Sequence, residues 1–260
     1  MSNRLEWLEF AKILGRESAD VVMEIYAQDF DVELKDDRSP VTAADRQAEA
    51  LIRRRIGERF PDHSVLGEEE GLSGPSDAKV QWIVDPIDGT ISLTRRVPLF
   101  GTLIAVLEDG EPVVGVAHFP ALGQTAYAAR GHGAFLNDAP IRASRCERVA
   151  DALVCTTGFH MSELDGSEQP VGRWGPLLRA AGSFRGWGDC YGHVLVAAGR
   201  ADAMVDFAMK PWDSAALVPI LREAGATVTT LDGSTDNLVH GGNLVSAAPP
   251  IHEEVLRLLR

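Results

Sequence analysis

The sequence predicts an α+β fold in which helices are layered on sheets, and three observations carry that prediction. Apolar residues near the N-terminus recur at three- and four-residue intervals, the spacing of amphipathic helices. From Trp82 to Asn137 apolar runs follow one another with only short glycine-bearing turns between them, the pattern of adjacent antiparallel strands. Beyond residue 150 helical and extended patterns alternate. A soft boundary near residue 141 therefore divides the chain into two parts. Residues 1–140 read as helices on an antiparallel sheet, and residues 141–260 as an alternating α/β part.

The elements follow in order. Trp7, Phe10, Ala11, Leu14, Val21, Val22 and Ile25 line one face of a long first helix. "SPVTAADRQAEALIRRRI" opens a second, with Thr42 and Asp45 spaced as a capping box that satisfies backbone N–H groups at the helix start. In "WIVDPIDGT", residues 82–90, Trp82 and Val84 alternate with Gln81 and Ile83, the mark of a strand with at least one buried face. Pro86 cannot donate to a ladder, so Asp85 and Asp88 are expected at the strand end. "GTLIAVLEDGEPVVGVAHFP" and "TAYAARGHGAFLN" each read as a hairpin. "DALVCTT" and "AMVDFA" read as strands, and the spacing of Tyr191, Val194, Leu195 and Ala198 as a helix. "SAALVPILREAG" gives a further helix ending at Gly225. The polar stretches 71–79 and 161–176, punctuated by glycine and proline, are expected to be surface loops.

Composition bounds the function. Of 260 residues 45% are hydrophobic and 24% charged, which suits a globular protein with a sizeable core. A net charge of −13 argues against nucleic acid as a partner, because phosphate backbones are gripped by an excess of lysine and arginine. No apolar run approaches the roughly 18 residues that span a bilayer, and "MSNRLEWLEFAKILG" lacks the apolar stretch of a signal peptide, so no membrane partner and a cytoplasmic location are expected. Cys146, Cys155 and Cys190 are too few and too scattered for a disulfide framework or a zinc knuckle, and the seven histidines show no metal-binding pairing. Any metal here is held by oxygen.

Each acidic group has an ordinary reading. Glu68, Glu69 and Glu70 form a turn between Gly67 and Gly71 and could be solvated; Asp45 and Asp213 could cap helices; Asp88 and Gly89 form a common turn pair. Taken together, a glutamate turn, a strand-terminal D-x-x-D and a helix-starting aspartate supply several hard oxygen ligands from element ends, the donor set that magnesium prefers. Such a pocket attracts an anionic phosphate only when divalent cations offset its charge. An EF-hand is excluded by spacing. A phospho-aspartyl mechanism is excluded as well, since D-x-D-G-T would need an aspartate where Pro86 stands, which leaves an activated water as the nucleophile.

"VTAAD" at 41–45, "GEE" at 67–69, "WIVDPIDGT" and "PWDSAAL" at 211–217 together resemble the inositol monophosphatase family of magnesium-dependent, lithium-sensitive phosphatases. The similarity runs along essentially the whole chain in the family's order. "WGDCYGHVLVAAGRADAMVD" and "PLFGTLIAV" are most similar to its histidinol-phosphatase branch, and Asp189 stands where inositol-specific members have a small uncharged residue. The resemblance implies a layered αβαβα sandwich, two or three Mg2+ ions per active site and a homodimer. It implies metal binding by Glu68, Asp85, Asp88, Asp213 and the carbonyl of Ile87, with Glu69 as an auxiliary carboxylate. It makes Asp45 and Thr90 the pair that activates water, and it gives Gly89 and Thr90 to the phosphate through their N–H groups. Asp189 and Asp206 would face the leaving group, where two carboxylates suit a cation, although Asp189 could equally cap the helix after Gly188.

The chain departs from the family in "ISLTRRVP", where Ser92 and Leu93 replace the usual residues after D-G-T, and Arg95 and Arg96 could steer phosphate or simply be solvated. The expected activity is hydrolysis of L-histidinol phosphate, with inositol 1-phosphate or a related small phosphate ester as the alternative. A catalytically silent phosphate- or metal-binding protein is the rival of another class.

Overall fold

The structure is a computed structural model, and it describes residues 3–28, 30–35, 40–159 and 170–260. Helix α1 (Asn3–Tyr26), a short hairpin of β1 (Glu33–Leu34) and β2 (Pro40–Val41), and helix α2 (Ala43–Arg59) precede the first large sheet. That sheet is built from β3 (Ser64–Gly67), β4 (Gly71–Ser73), β5 (Val80–Asp88), β6 (Gly101–Glu108), β7 (Glu111–Phe119), β8 (Gln124–Ala129), β9 (Ala134–Leu136) and β10 (Ala139–Pro140), in the order β10-β9-β8-β7-β6-β5-β3-β4. All its pairs are antiparallel except β3 with β5. The short helix α3 (Thr90–Thr94) follows β5.

The second sheet has five strands in the order β12-β11-β13-β15-β14, formed by β11 (Leu153–Cys155), β12 (Ser183–Arg185), β13 (Ala203–Phe207), β14 (Thr227–Thr229) and β15 (Asn243–Ala247). Around it run α4 (Pro170–Ala180), α5 (Asp189–Ala197), α6 (Pro211–Ser214), α7 (Leu217–Glu223) and α8 (His252–Leu258). Its β11 is parallel to both neighbours, while β15 is antiparallel to both of its own.

The core explains the layering. Side chains alternate across a strand, so Trp82 and Val84 of β5 face one way and Ile83 the other. Trp82, Val84, Ile104, Val106 and Val116 pack under Trp7, Phe10, Leu14, Ile52 and Ile56 of α1 and α2. On the opposite face Ile83, Leu103, Ala105 and Phe119 pack against Val194 of α5 and Leu217, Ile220 and Leu221 of α7, which also cover Met204 and Leu244 of the second sheet. The far side of that sheet is closed by Trp174 and Leu177 of α4 and Val255 and Leu256 of α8. The result is five layers, helix, sheet, helix, sheet, helix. Among the described residues no helix is long and apolar enough to cross a membrane.

Four expectations change. Strand β5 does not stop at Pro86. It is buried on both faces and continues to Asp88 through a bulge, in which Asp85 pairs with Leu103 but Asp88 with Gly101. A bulge is where a strand tolerates proline, and the Pro86 carbonyl is held by the Thr102 hydroxyl at 2.9 Å. The first residues of the expected 71–79 loop form the edge strand β4, paired with β3. Residues 161–169 of the other expected loop lie outside the described residues, but 170–176 belong to α4, with Pro170 suited to a helix start and Trp174 and Leu177 at helical spacing over the core. The helix expected at 214–225 is shorter, α7 over 217–223, with Ser214 closing the separate α6 before it, and Gly225 does stand past its end with φ +80°.

Candidate active site

The bulge in β5 decides where the carboxylates go. Residues three apart in a regular strand point to opposite faces, so Asp85 and Asp88 would be separated by the sheet. One extra residue between them brings both to the same side, where Asp213 of α6 meets them and carboxylate oxygens of all three lie within 4.8 Å of one another. Each is held by a backbone donor. Asp85 accepts the Ile87 N–H at 2.9 Å, Asp88 the Cys190 N–H at 2.6 Å, and Asp213 the Lys210 N–H at 2.7 Å. Asp213 thus makes a cap bond from the third position of α6, not from the N-cap position, which is Lys210.

Burial pushes the Asp85 and Asp88 carboxyls well above the usual carboxylate range, reinforced by Glu68 beside Asp85 and by Asp189 beside Asp88. Burial raises Asp213 to about 7, opposed by the Lys210 N–H and reinforced by Glu68. Such crowding of like charge in a low-dielectric pocket calls for a cation. Glu68 and Glu69 already hold one: Lys35 reaches them at 2.7 and 2.5 Å. Burial lowers the Lys35 ammonium and the two carboxylates raise it, with a net rise. The all-oxygen donor set of Glu68, Asp85, Asp88 and Asp213 fits a hard divalent ion such as Mg2+.

Asp45 and Thr90 meet beside Ile87, between the two aspartates of β5 in sequence. Both the N–H and the hydroxyl of Thr42 donate to Asp45 Oδ2 at 2.7 Å, completing the capping box, while Oδ1 lies 3.5 Å from the Thr90 hydroxyl. One oxygen serves the helix and the other faces Thr90. Thr90 Oγ1 is also 3.0 Å from the Ile87 carbonyl, so its single proton has two acceptors within reach. Burial raises the Asp45 pKa against the two Thr42 hydrogen bonds, which makes the carboxylate a stronger base. Gly89, the cap of α3, has φ +85°, and a Cβ there would lie 2.9 Å from the Leu99 carbonyl and 3.1 Å from Asp189 Oδ2.

Asp189 is the first residue of α5, after Gly188 in the cap position. Its backbone is left-handed, with φ +53°, and its N–H donates to the Thr157 hydroxyl at 2.7 Å. Its carboxyl rises to about 7 through burial and the nearby Asp206, against a hydrogen bond from Ser92. Asp206 is more engaged than the sequence suggests. Its two oxygens accept the N–H and hydroxyl of Thr157 at 2.9 Å each, and His193 Nε2 lies 3.5 Å away. Asp88, Thr157, Asp189, Cys190, Asp206 and Asp213 nevertheless line one cleft.

Sequence reasoning missed Lys35, Thr157 and the Cys190 N–H. None carries a motif: Thr157 sits in "CTTG" and Lys35 in a polar stretch without periodicity. Arg96 is tied elsewhere, donating to the Tyr26 and Gln28 carbonyls and lying over the Tyr26 and Phe30 rings at 5.2 and 4.7 Å.

Comparison with known proteins identifies the relatives of this chain. The model of the inositol monophosphatase family matches residues 3–260. The histidinol-phosphatase of Chlorobaculum parvum is 44% identical over 241 residues, covering 92% of this chain and 90% of that protein. The histidinol-phosphatase of Mycobacterium tuberculosis is 40% identical over 235 residues, covering 90% and 89%. A solved IMPase/NADP phosphatase complexed with Mg2+ and phosphate superposes with a TM-score of 0.85 at 25% identity, over 98% of this chain and 95% of that one. The chain belongs to the inositol monophosphatase family.

Proposed function

We propose that the chain is a magnesium-dependent phosphomonoesterase that hydrolyses L-histidinol phosphate to L-histidinol and phosphate. The observation that carries the reading is the meeting of Asp85, Asp88 and Asp213 within 4.8 Å, with the further carboxyl of Asp189 beside Asp88. Glu68, Asp85, Asp88, Asp213 and the Ile87 carbonyl would hold two or three Mg2+ ions, and Glu69 would support them. When bound, the ions supply positive charge against the phosphate and ease deprotonation of the attacking water. The chain's own groups do the rest. Thr90 passes a proton from the water to Asp45 Oδ1, the oxygen left free by the capping box. The N–H groups of Gly89 and Thr90 orient the phosphate. Phosphoryl transfer asks mainly for positioning and charge neutralisation, which this arrangement supplies.

The substrate follows from charge. Histidinol phosphate carries an ammonium and an imidazole, and Asp189 offers it a carboxylate in the cleft beside the cluster. Inositol 1-phosphate is the second reading, favoured by the Thr157 hydrogen bonds that occupy both oxygens of Asp206. A cytoplasmic location and a homodimer belong to the same proposal and rest on the family resemblance.

The test is turnover of histidinol phosphate, inositol 1-phosphate and glycerol 2-phosphate with Mg2+. We expect kcat/KM for histidinol phosphate to exceed the others by about tenfold or more, the size of one charge-assisted hydrogen bond. Preference for inositol 1-phosphate would put the second reading first, and no hydrolysis of any ester would leave a binding protein.

A further inference from the structure

Glu49 takes no part in the chemistry described so far, yet it is fully buried on α2, one turn beyond Asp45. Its carboxylate grips the backbone of the glutamate turn: Oε2 accepts the Glu69 N–H at 2.8 Å and Oε1 the Glu70 N–H at 2.9 Å. Arg53, four residues on, donates through Nε to Oε1 of Glu49 at 2.8 Å. Its other nitrogens bind the far side of the same turn, at the Ser73 hydroxyl at 2.7 Å, the Val65 carbonyl at 3.4 Å and the Gly71 carbonyl. The carboxylate lies flat on Gly67, where a Cβ would fall 2.4 Å from Oε1. On its other flank the turn is tied to β5 by the parallel pairing of Gly67 with Val84 and by the Glu68 N–H on the Val84 carbonyl at 3.3 Å.

Glu49 sets a fourth carboxylate beside three consecutive glutamates, and the charge is offset by Arg53 on Glu49 and Glu70 and by Lys35 on Glu68 and Glu69. What the arrangement does is fix direction. With the N–H groups of residues 69 and 70 fastened to one rigid anion and that of residue 68 to β5, the backbone of Glu68 has little freedom, and its carboxyl is held facing Asp85.

We propose that Glu49 is a positioning residue that aims Glu68 at the metal cluster, with Arg53 as its counter-charge. The proposal rests on the reading of Glu68 as a ligand. Removing a group that orients a metal ligand commonly weakens metal binding by about ten- to hundredfold. Glu49→Gln keeps the shape but turns an amide NH2 toward one of the two N–H donors, so one of the two hydrogen bonds to the turn is lost. Glu49→Asp keeps the charge and shortens the reach.

The experiment is titration of the substrate-free protein with Mn2+, which takes the same octahedral oxygen sites as Mg2+, followed by calorimetry or the loss of the free-ion EPR signal. It is run well below each variant's melting midpoint on protein whose circular dichroism matches wild type. We expect Glu49→Gln to weaken Mn2+ binding about ten- to hundredfold, Glu49→Asp to fall between it and wild type, and the half-saturating Mg2+ for turnover to rise in parallel while kcat at saturating Mg2+ changes little. Wild-type Mn2+ affinity in folded Glu49→Gln would overturn the proposal even if its melting midpoint dropped, because a purely structural role moves stability alone. Glu68→Gln separates the two failures. If it binds Mn2+ as wild type does, the reading of Glu68 is wrong; if it loses affinity and Glu49→Gln does not, only the positioning role is wrong.

Discussion

At the scale of single residues, Asp189 combines an unusual backbone with an unusual charge. A non-glycine residue at φ +53° is tolerated best when it is aspartate or asparagine, and here the conformation is secured by the Thr157 hydroxyl on its N–H. Asp189→Asn therefore removes the charge while leaving the backbone and its hydrogen bond in place. An ammonium held by a carboxylate gains about 1.5–3 kcal/mol, so the KM for histidinol phosphate should rise roughly ten- to hundredfold, with the KM for glycerol 2-phosphate nearly unchanged. Steady-state kinetics on the two esters decides it. An equal loss on both would make Asp189 a piece of backbone architecture with no part in substrate choice.

At the scale of elements, local chemistry was legible and long-range chemistry was not. The capping box of Thr42 and Asp45 could be read because both partners lie within one helical turn. The hairpins β6–β7 and β8–β9 could be read because apolar runs and glycine turns are adjacent in sequence. The bulge at Pro86 could not, since a proline in a strand pattern signals either an end or a bulge, and only the partner strand chooses between them. Edge strand β4 was hidden by its shortness and its glycine, and α4 by its prolines and glycines. Lys35, Glu49 and Thr157 each act on groups distant in sequence, on Glu68 and Glu69, on the backbone of 69 and 70, and on Asp206 and Asp189 respectively. A carboxylate or hydroxyl whose partners are set by packing leaves no mark at fixed spacing.

At the scale of the whole molecule, the layering brings Asp85 and Asp88 from the first sheet and Asp213 from a helix of the second part into one acidic pocket on a chain of net charge −13. That concentration has a measurable effect on stability. In the metal-free protein Asp189 and Asp213 sit at about 7 and Asp85 and Asp88 are also raised, against roughly 3.9 when unfolded. The folded state then binds more protons than the unfolded state between about pH 4 and 7, so these groups make stability fall as pH rises through that window. Thermal melts of chelator-treated protein should show a lower midpoint at pH 7.5 than at pH 5.5. Mg2+ should raise the midpoint more at pH 7.5, because it binds the ionised cluster of the folded state only. A Mg2+ effect equal at both pH values would mean that the ion binds elsewhere.

The central claim, that this cluster is the catalytic metal site of a phosphomonoesterase, is tested most directly by phosphate release from histidinol phosphate by wild type and Asp88→Asn as Mg2+ is added back after chelation. The account predicts that turnover by wild type stops on chelation and returns with Mg2+, while Asp88→Asn, folded but lacking one ligand charge, stays inactive at every Mg2+ concentration. Magnesium-restored turnover in Asp88→Asn at the wild-type level would contradict it.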